Sequence, residues 1–403
     1  MMKLRLSNPK FAMLILMLNM FIALLGQGMV IPILPDYLKE FGAAGTAAGY
    51  LVAAFGAAQF LFSPIGGQLS DKLGRKKLIF AGLILTFLSD LLFAVASSLP
   101  LLYAARFIGG IGLGLMVPAN LAYVADRTTH ETRAAGMGYF SASMNLGMVL
   151  GPGIGGLIAE YGIRVPYYFA ACLSLAAAAL TLLLPESKQT SRQAAAPQVS
   201  RPAPKTPLWK QVTESFRTPY FRYLLLILVM TFGLVNYETV YALFAEQKYA
   251  LGAREISIII TIGAVVGMVM QVGLLARVVR RFGEQKVIRT SLVMSAAALL
   301  LMLVPVNWVF LLGVSALFFA FNAMLRPTVS TLISNAAGDR QGYASGLNTT
   351  YTSLGNVIGP VFAGYLFDIH LNLPYILGAF ILVASLVLTL QLPVNGEKRM
   401  TKS

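Results

Sequence analysis

A few ionisable side chains of this 403-residue chain lie inside runs that are otherwise apolar: Glu238 in NYETVYALF, Arg106 in LYAARFIGGIGLG, Arg326 in FNAMLRP, Asp36 in PILPDYL, and Asp90. A carboxyl group in apolar surroundings resists ionisation, so Glu238 suits the exchange of a proton near neutral pH. An arginine within a membrane span costs roughly 2.5–3.5 kcal/mol on insertion scales and marks function by default, which singles out Arg106. Arg326, if it lies near Glu238, favours the ionised acid. Each has a plainer reading beside it. Glu238 could be an acid at the outer interface, Arg106 a side chain that snorkels to water, and Asp36 an outer-rim charge rather than a second exchangeable acid. Polar and aromatic residues that could surround Glu238 are Gln59, Asn145, Tyr237, Tyr241, Gln271, Asn322, Asn348 and Tyr351. Aromatic faces suit planar cations, but each residue taken alone equally suits helix–helix hydrogen bonding or interfacial anchoring. The chemistry within reach is the binding of protons and cations.

The elements that must position these groups are membrane helices. The chain is 57% hydrophobic and only 12% charged, with mean hydropathy +0.73; soluble proteins carry about 25% charged residues. Apolar stretches long enough to span a bilayer recur near 11–36, 46–69, 78–98, 101–124, 134–159, 165–184, 221–245, 256–276, 287–305, 307–333, 342–367 and 372–393, which predicts twelve transmembrane helices. The net charge of +15 is distributed by side rather than by domain. With the N-terminus inside, only Lys39, Arg164, Lys248 and Arg254 fall on outer loops, and Arg106 and Arg326 within spans; the other lysines and arginines lie inside. The positive-inside rule therefore predicts cytoplasmic N- and C-termini. No basic, aromatic soluble module remains to bind nucleic acid.

The spans fall into two halves. Residues 185–220 open with the polar stretch PESKQTSRQAAAPQVSRPAPKTPLWK and read as a cytoplasmic linker between a six-helix half over 1–184 and another over 221–403. Motifs repeat across it. GPGIGG at 151–156 returns as GPVFAG at 359–364, while Gly138 and Gly147 return as Gly346 and Gly355. GRKKLI at 74–79 returns, weakened, as GEQKVI at 283–288. Two such halves match a secondary transporter with a midplane site between them.

The loop GGQLSDKLGRKK at 66–77, with Gly67, Asp71, Gly74 and Arg75, resembles the signature of the major facilitator superfamily. Its fold is accordingly the expectation: an all-α integral membrane protein of twelve transmembrane helices in two six-helix, pseudo-symmetric halves. The resemblance implies that Asp71 and Arg75 form a charge network with Asp126 that stabilises the outward-facing state. Arg280 replaces the acid in the second half, so the network should be one-sided. GMVLGPGIGG at 147–156 resembles the superfamily's antiporter motif, complete through Gly147, Gly151, Pro152, Gly155 and Gly156, with Gly359 and Pro360 as counterparts. Gly147, Gly151 and Gly155 form a bare strip where another backbone approaches closely.

Further stretches, among them GMVIPILPDYL, YETVYALF, MLRP and TSLGNVIGP, resemble the Gram-positive multidrug and quinolone exporters. This implies a drug:proton antiporter of the bacterial plasma membrane that exports amphipathic, often cationic compounds by alternating access. Glu238 matches the group's drug- and proton-binding glutamate, and Arg106 an arginine implicated in proton transfer. One departure stands out. Ala323 occupies the position of the group's second acid, so one proton exchanged for one monocation would be electroneutral. An exporter of a metabolite, sugar or lipid on the same scaffold would share every motif but the pocket. No nucleotide is expected, because no G-x-x-x-x-G-K-[ST] motif occurs. His130 and His370 fall on opposite sides of the membrane and one cysteine builds no metal cluster, so an enzyme is not expected. The expected partners are the small-molecule substrate, protons and the lipid bilayer, with the protein acting as a monomer.

Overall fold

The computed structural model describes residues 9–129, 131–186, 213–216, 218–338 and 341–390. His130, Arg340, most of the 185–220 linker and both basic tails lie outside the described residues.

With no water in a bilayer core to satisfy backbone polar groups, an apolar chain must close its hydrogen bonds within each span. The described residues form helices and no strand, grouped in chain order as twelve spans. Span α1 runs Pro9–Met29 and continues through a 3-10 turn, Ile31–Ile33, into Leu34–Lys39; α2 is Gly45–Leu73, α3 Arg75–Val95, α4 Leu99–Arg127, α5 Arg133–Ala159 and α6 Val165–Thr181. In the second half α7 is Phe221–Tyr249, and α8 is Ala253–Val269 extended by a π-helical turn, Met270–Leu274, and Leu275–Phe282. Then follow α9 Glu284–Leu301, α10 Trp308–Ala337, α11 Gln341–Ile369, and α12 Leu373–Ala384 with Leu386–Leu390. Eight of these are long and apolar enough to cross a membrane by themselves; α6 and α12 are shorter apolar helices.

Prolines mark the repeat inside the helices. Pro118 in α4 and Pro327 in α10 correspond, as do Pro152 in α5 and Pro360 in α11. The turn between α2 and α3 rests on Gly74 at φ +101°, and the turn between α8 and α9 on Gly283 at φ +78°. Both lie where only glycine is unstrained, so the turn recurs in both halves although its charges do not.

Glycine contacts set the internal order of each half. A Cβ on Gly151 would stand 2.7 Å from the Leu25 carbonyl oxygen, and Gly147 and Gly155 likewise press on the backbone of α1. In the second half Gly355 lies against Thr231 and Leu228 of α7, and Gly359 against Phe232. The glycine strip foreseen for close approach thus fastens α5 to α1, and its counterpart fastens α11 to α7.

The halves meet elsewhere. Gly45 and Gly49 of α2 abut Gly364, Phe367 and Pro360 of α11, and Gly153 and Gly156 of α5 abut Thr261 and Ser257 of α8. Ion pairs Lys39–Glu246 and Arg254–Glu160 join the same outer ends. Asp368 of α11 accepts hydrogen bonds from the backbone N–H groups of Gly45 and Thr46, 2.8 Å each, and so caps the first turn of α2 across the interface. The cytoplasmic ends stand apart. Gly138 lies 18 residues from Gly156, Gly346 18 from Gly364 and Gly67 18 from Gly49, about five turns along the same helix faces. Gly138 and Gly346 look into open space, and Gly67 finds only Pro118 of its own half. The molecule is closed outside and open toward the cytoplasm.

Candidate functional site

Helix α7 presents a different face to each neighbour. Asn236 donates to the carbonyl of Pro374 at 2.6 Å, and Gly233 lies against Leu382, so this face belongs to α12. Tyr237 and Tyr241 turn to α10, with Tyr237 4.6 Å from the ring of Phe318 and the Tyr241 hydroxyl 3.1 Å from Ser315 Oγ. Glu238 follows Asn236 by two residues, about 200° around the helix. It therefore looks away from α12, into the sector between the α10-facing tyrosines and the α11-facing Thr231 and Val235. It is partly buried and takes part in no ion pair with a described residue.

Arg326 is exposed on α10, two turns below Phe319 and on the same helix face, and forms no ion pair with Glu238. One turn above it, Asn322 is buried with an Nδ2 that has no hydrogen-bond partner. Ala323 packs toward Gly267 of α8, where an added Cβ would come within 3.4 Å of it. The position of the missing acid is therefore occupied by a helix contact. On α5, Asn145 is exposed and falls on the face shared by Gly138 and Gly156, which is the cleft face. Gln271 is exposed in the π-helical turn of α8, an irregularity that the flanking Gly267 and Gly273 alone hint at. Gln59 is partly buried on α2, where its backbone packs on Gly110 and Gly114 of α4.

Other expected residues are engaged elsewhere. Tyr237 and Tyr241 are 2% and 0% exposed within an aromatic cluster with Phe318, Phe319 and Tyr375. Tyr351 is buried with its hydroxyl 2.7 Å from Ser215 Oγ. Asn348 donates to Ser330 Oγ at 3.1 Å, linking α11 to α10. The contacts of these side chains lie within the second half. Periodicity could not separate the two roles, since an aromatic residue serves a core and a pocket equally well.

In the first half Arg106 lies beside the rings of Phe93 and Phe55, its guanidinium carbon 5.2 and 6.0 Å from their centroids. Its Nε is buried without a partner. Asp90 faces it from α3, within electrostatic range but without a direct ion pair, and accepts a hydrogen bond from Ser174 at 3.3 Å. Asp36 sits exposed on the outer end of α1. At the cytoplasmic end, Arg75 bonds Asp71 at 2.5 Å and Asp126 at 3.1 Å. No ion pair joins Arg280 and Glu284, so the network is one-sided among the described residues.

The model of the Major Facilitator Superfamily matches residues 16–281 and 226–402. The chain is 37% identical over 390 residues to "Multidrug resistance protein 2" of Bacillus subtilis, covering 96% of this chain and 97% of that protein. It is 39% identical over 381 residues to "Quinolone resistance protein NorA" of Staphylococcus aureus, covering 93% and 95%. Among solved structures, the nucleoside transporter NupG superposes with a TM-score of 0.77 at 14% identity, covering 94% of this chain and 98% of that one. The human organic anion transporter MFSD10 does so at 0.67 with 19% identity, covering 95% and 100%.

Proposed function

The chain belongs to the major facilitator superfamily, and from that premise we propose that it is a proton-coupled multidrug exporter of the bacterial plasma membrane, working by alternating access. The observation that carries the reading is Glu238: a partly buried acid within a membrane span, with no ion pair to a described residue, in a chain similar over nearly its whole length to multidrug resistance proteins. A carboxylate without a fixed counter-charge accepts either a proton or an organic cation, and the two exclude each other.

In the inward-open form an amphipathic cation enters from the cytoplasm or inner leaflet and meets ionised Glu238. Asn145, Gln271 and Arg326 border its path. Reorientation exposes the site outside, where protonation of Glu238 neutralises the attraction and releases the cation. Proton loss to the cytoplasm after the return resets the site. Substrate and proton thus compete for one carboxylate, and their antiport needs no second coupling element.

Ethidium-loaded proteoliposomes with an imposed pH gradient test this. Wild type should drive ethidium against its concentration gradient. Glu238→Gln should lose at least tenfold of that rate while eluting from a sizing column as wild type does. Unchanged exchange in the variant would remove the coupling role from Glu238.

Ala323 favours a second reading, export of a metabolite, sugar or lipid on the same scaffold, because the position where the drug exporters resembled here hold an acid is spent on packing against α8. A panel of cations, quinolones and neutral compounds in a drug-sensitive host separates the two: protection against none of them favours the second.

A further inference from the structure

A second carboxyl group with few partners lies outside the cleft, partly buried among the helices of the first half. Asp90 on α3 is met from three sides. From α1 comes Gly26, where an added Cβ would stand 3.7 Å from Asp90 Oδ2. From α6 come Ser174, which donates to the carboxyl group at 3.3 Å, and the buried hydroxyl of Tyr167, which has no hydrogen-bond partner. From α4 comes Arg106. Phe55 of α2 supplies only a ring. Tyr37 of α1, the remaining titratable neighbour, spends its hydroxyl on the carbonyl of Phe93.

This is not how a structural carboxylate is held. Such a group saturates its oxygens with donors, because each lone pair left without one costs free energy in a low-dielectric interior. Asp90 receives one long hydrogen bond, while two potential donors close by, Arg106 Nε and the Tyr167 hydroxyl, are buried without partners. The arginine rests instead between Phe93 and Phe55, which hold a guanidinium without a carboxylate. The geometry therefore provides for two arrangements. With Asp90 ionised, Arg106 and Tyr167 swing onto it. With Asp90 protonated, its charge is gone and Arg106 stays on the rings, as observed.

We infer that Asp90 is a second proton-binding residue of the transport cycle, carrying one proton per turn in the first half with Arg106 as its movable counter-charge. The inference rests on proton-coupled export, and it alters the stoichiometry expected from Glu238 alone. Two protons, on Glu238 and Asp90, enter for each monocation that leaves. One net positive charge then moves with the protons, so membrane potential drives export.

The test uses the full-length protein in ethidium-loaded proteoliposomes, with an interior-negative potassium diffusion potential and no pH gradient. Passive ethidium would be retained by that potential. A two-for-one exchanger expels it instead, to an outside-to-inside ratio of about 50-fold per 100 mV, the equivalent of about 2.3 kcal/mol for one net charge. Wild type should show this expulsion. Asp90→Asn should abolish it while keeping exchange driven by a pH gradient. A wild type indifferent to potential, or an Asp90→Asn variant that still responds, overturns the inference. Absence of any pH-driven exchange in wild type instead overturns proton-coupled export. A check without substitutions is labelling of wild type by dicyclohexylcarbodiimide, which attacks protonated carboxyl groups in apolar sites. Mass spectrometry should find an adduct on Asp90 that declines as pH rises from 6 to 9, and an unlabelled Asp90 or a pH-independent adduct refutes the proposal.

Discussion

Single residues in this protein do two kinds of electrostatic work, binding what is carried and holding the carrier in one pose. Arg75 is of the second kind. It is 8% exposed and joins Asp71 to Asp126, tying α2 and α3 to the inner end of α4. Arg75→Ala leaves two acids near each other without their cation. Because the Asp71 side chain is 56% exposed, the loss should be modest, about 1–3 kcal/mol, read as a lower unfolding midpoint in detergent. Asp368 works at the opposite surface. Helix α2 has Ala44 at its N-cap with no capping side chain of its own, and Asp368 supplies the cap from the other half. Asp368→Asn removes the charge from the positive end of the α2 dipole, worth about 1 kcal/mol. Roughly a five-fold shift toward the outward-facing population follows, measurable by distance spectroscopy across the outer ends. Glu238 and Arg106 were legible in sequence because a charge in an apolar run stands out. Asp368 was not, since an acid near the end of a span looks like any rim residue until its partner helix is known.

At the scale of the element, a helix here is a set of faces with separate duties. Helix α5 keeps Gly147, Gly151 and Gly155 against α1 and offers Gly153 and Gly156 to α8. The sequence motif showed the strip and its repeat in α11, but one run of glycines cannot say which neighbour each face will meet. The two faces predict different failures. Gly156→Val would place its side chain on Ser257, and already at Cβ within 2.9 Å of the Ala253 carbonyl oxygen, so it should obstruct outer closure while leaving the first half intact. Export should fall tenfold or more with wild-type expression. Gly151→Val would strike α1 and should instead lower the stability of the first half itself, seen as reduced yield. The π-helical turn of α8, in which Gln271 is exposed, had no reliable signal in the sequence because its cause lies in the i+5 bonding of the backbone rather than in a residue type.

For the whole molecule, twelve spans, inside termini and two halves follow from hydropathy, charge bias and repetition, all of which are properties of the chain alone. Which way the cleft opens is not such a property, because both states use the same helices. Its direction comes from where the halves touch, and it is checkable in a Cys172→Ser background. A cysteine at Gly138 or Gly346 should react with impermeant maleimide from the cytoplasmic side of inverted vesicles, whereas one at Ser257, 1% exposed against Gly156, should not, and the order should reverse when the outer side is held open. The spacing of these positions has a further consequence. Gly49 and Gly67, Gly138 and Gly156, and Gly346 and Gly364 stay in register only because 18 residues make a whole number of turns, about five. A single inserted residue between the members of a pair would swing one of them about 100° aside, and the helix would then fit its partner at one end of the membrane only. Lineages descended from this chain are thus free to rewrite the lining of the cleft and to lengthen its loops, but α2, α5 and α11 are measured to the residue, and an insertion there should be purged where a substitution would be kept.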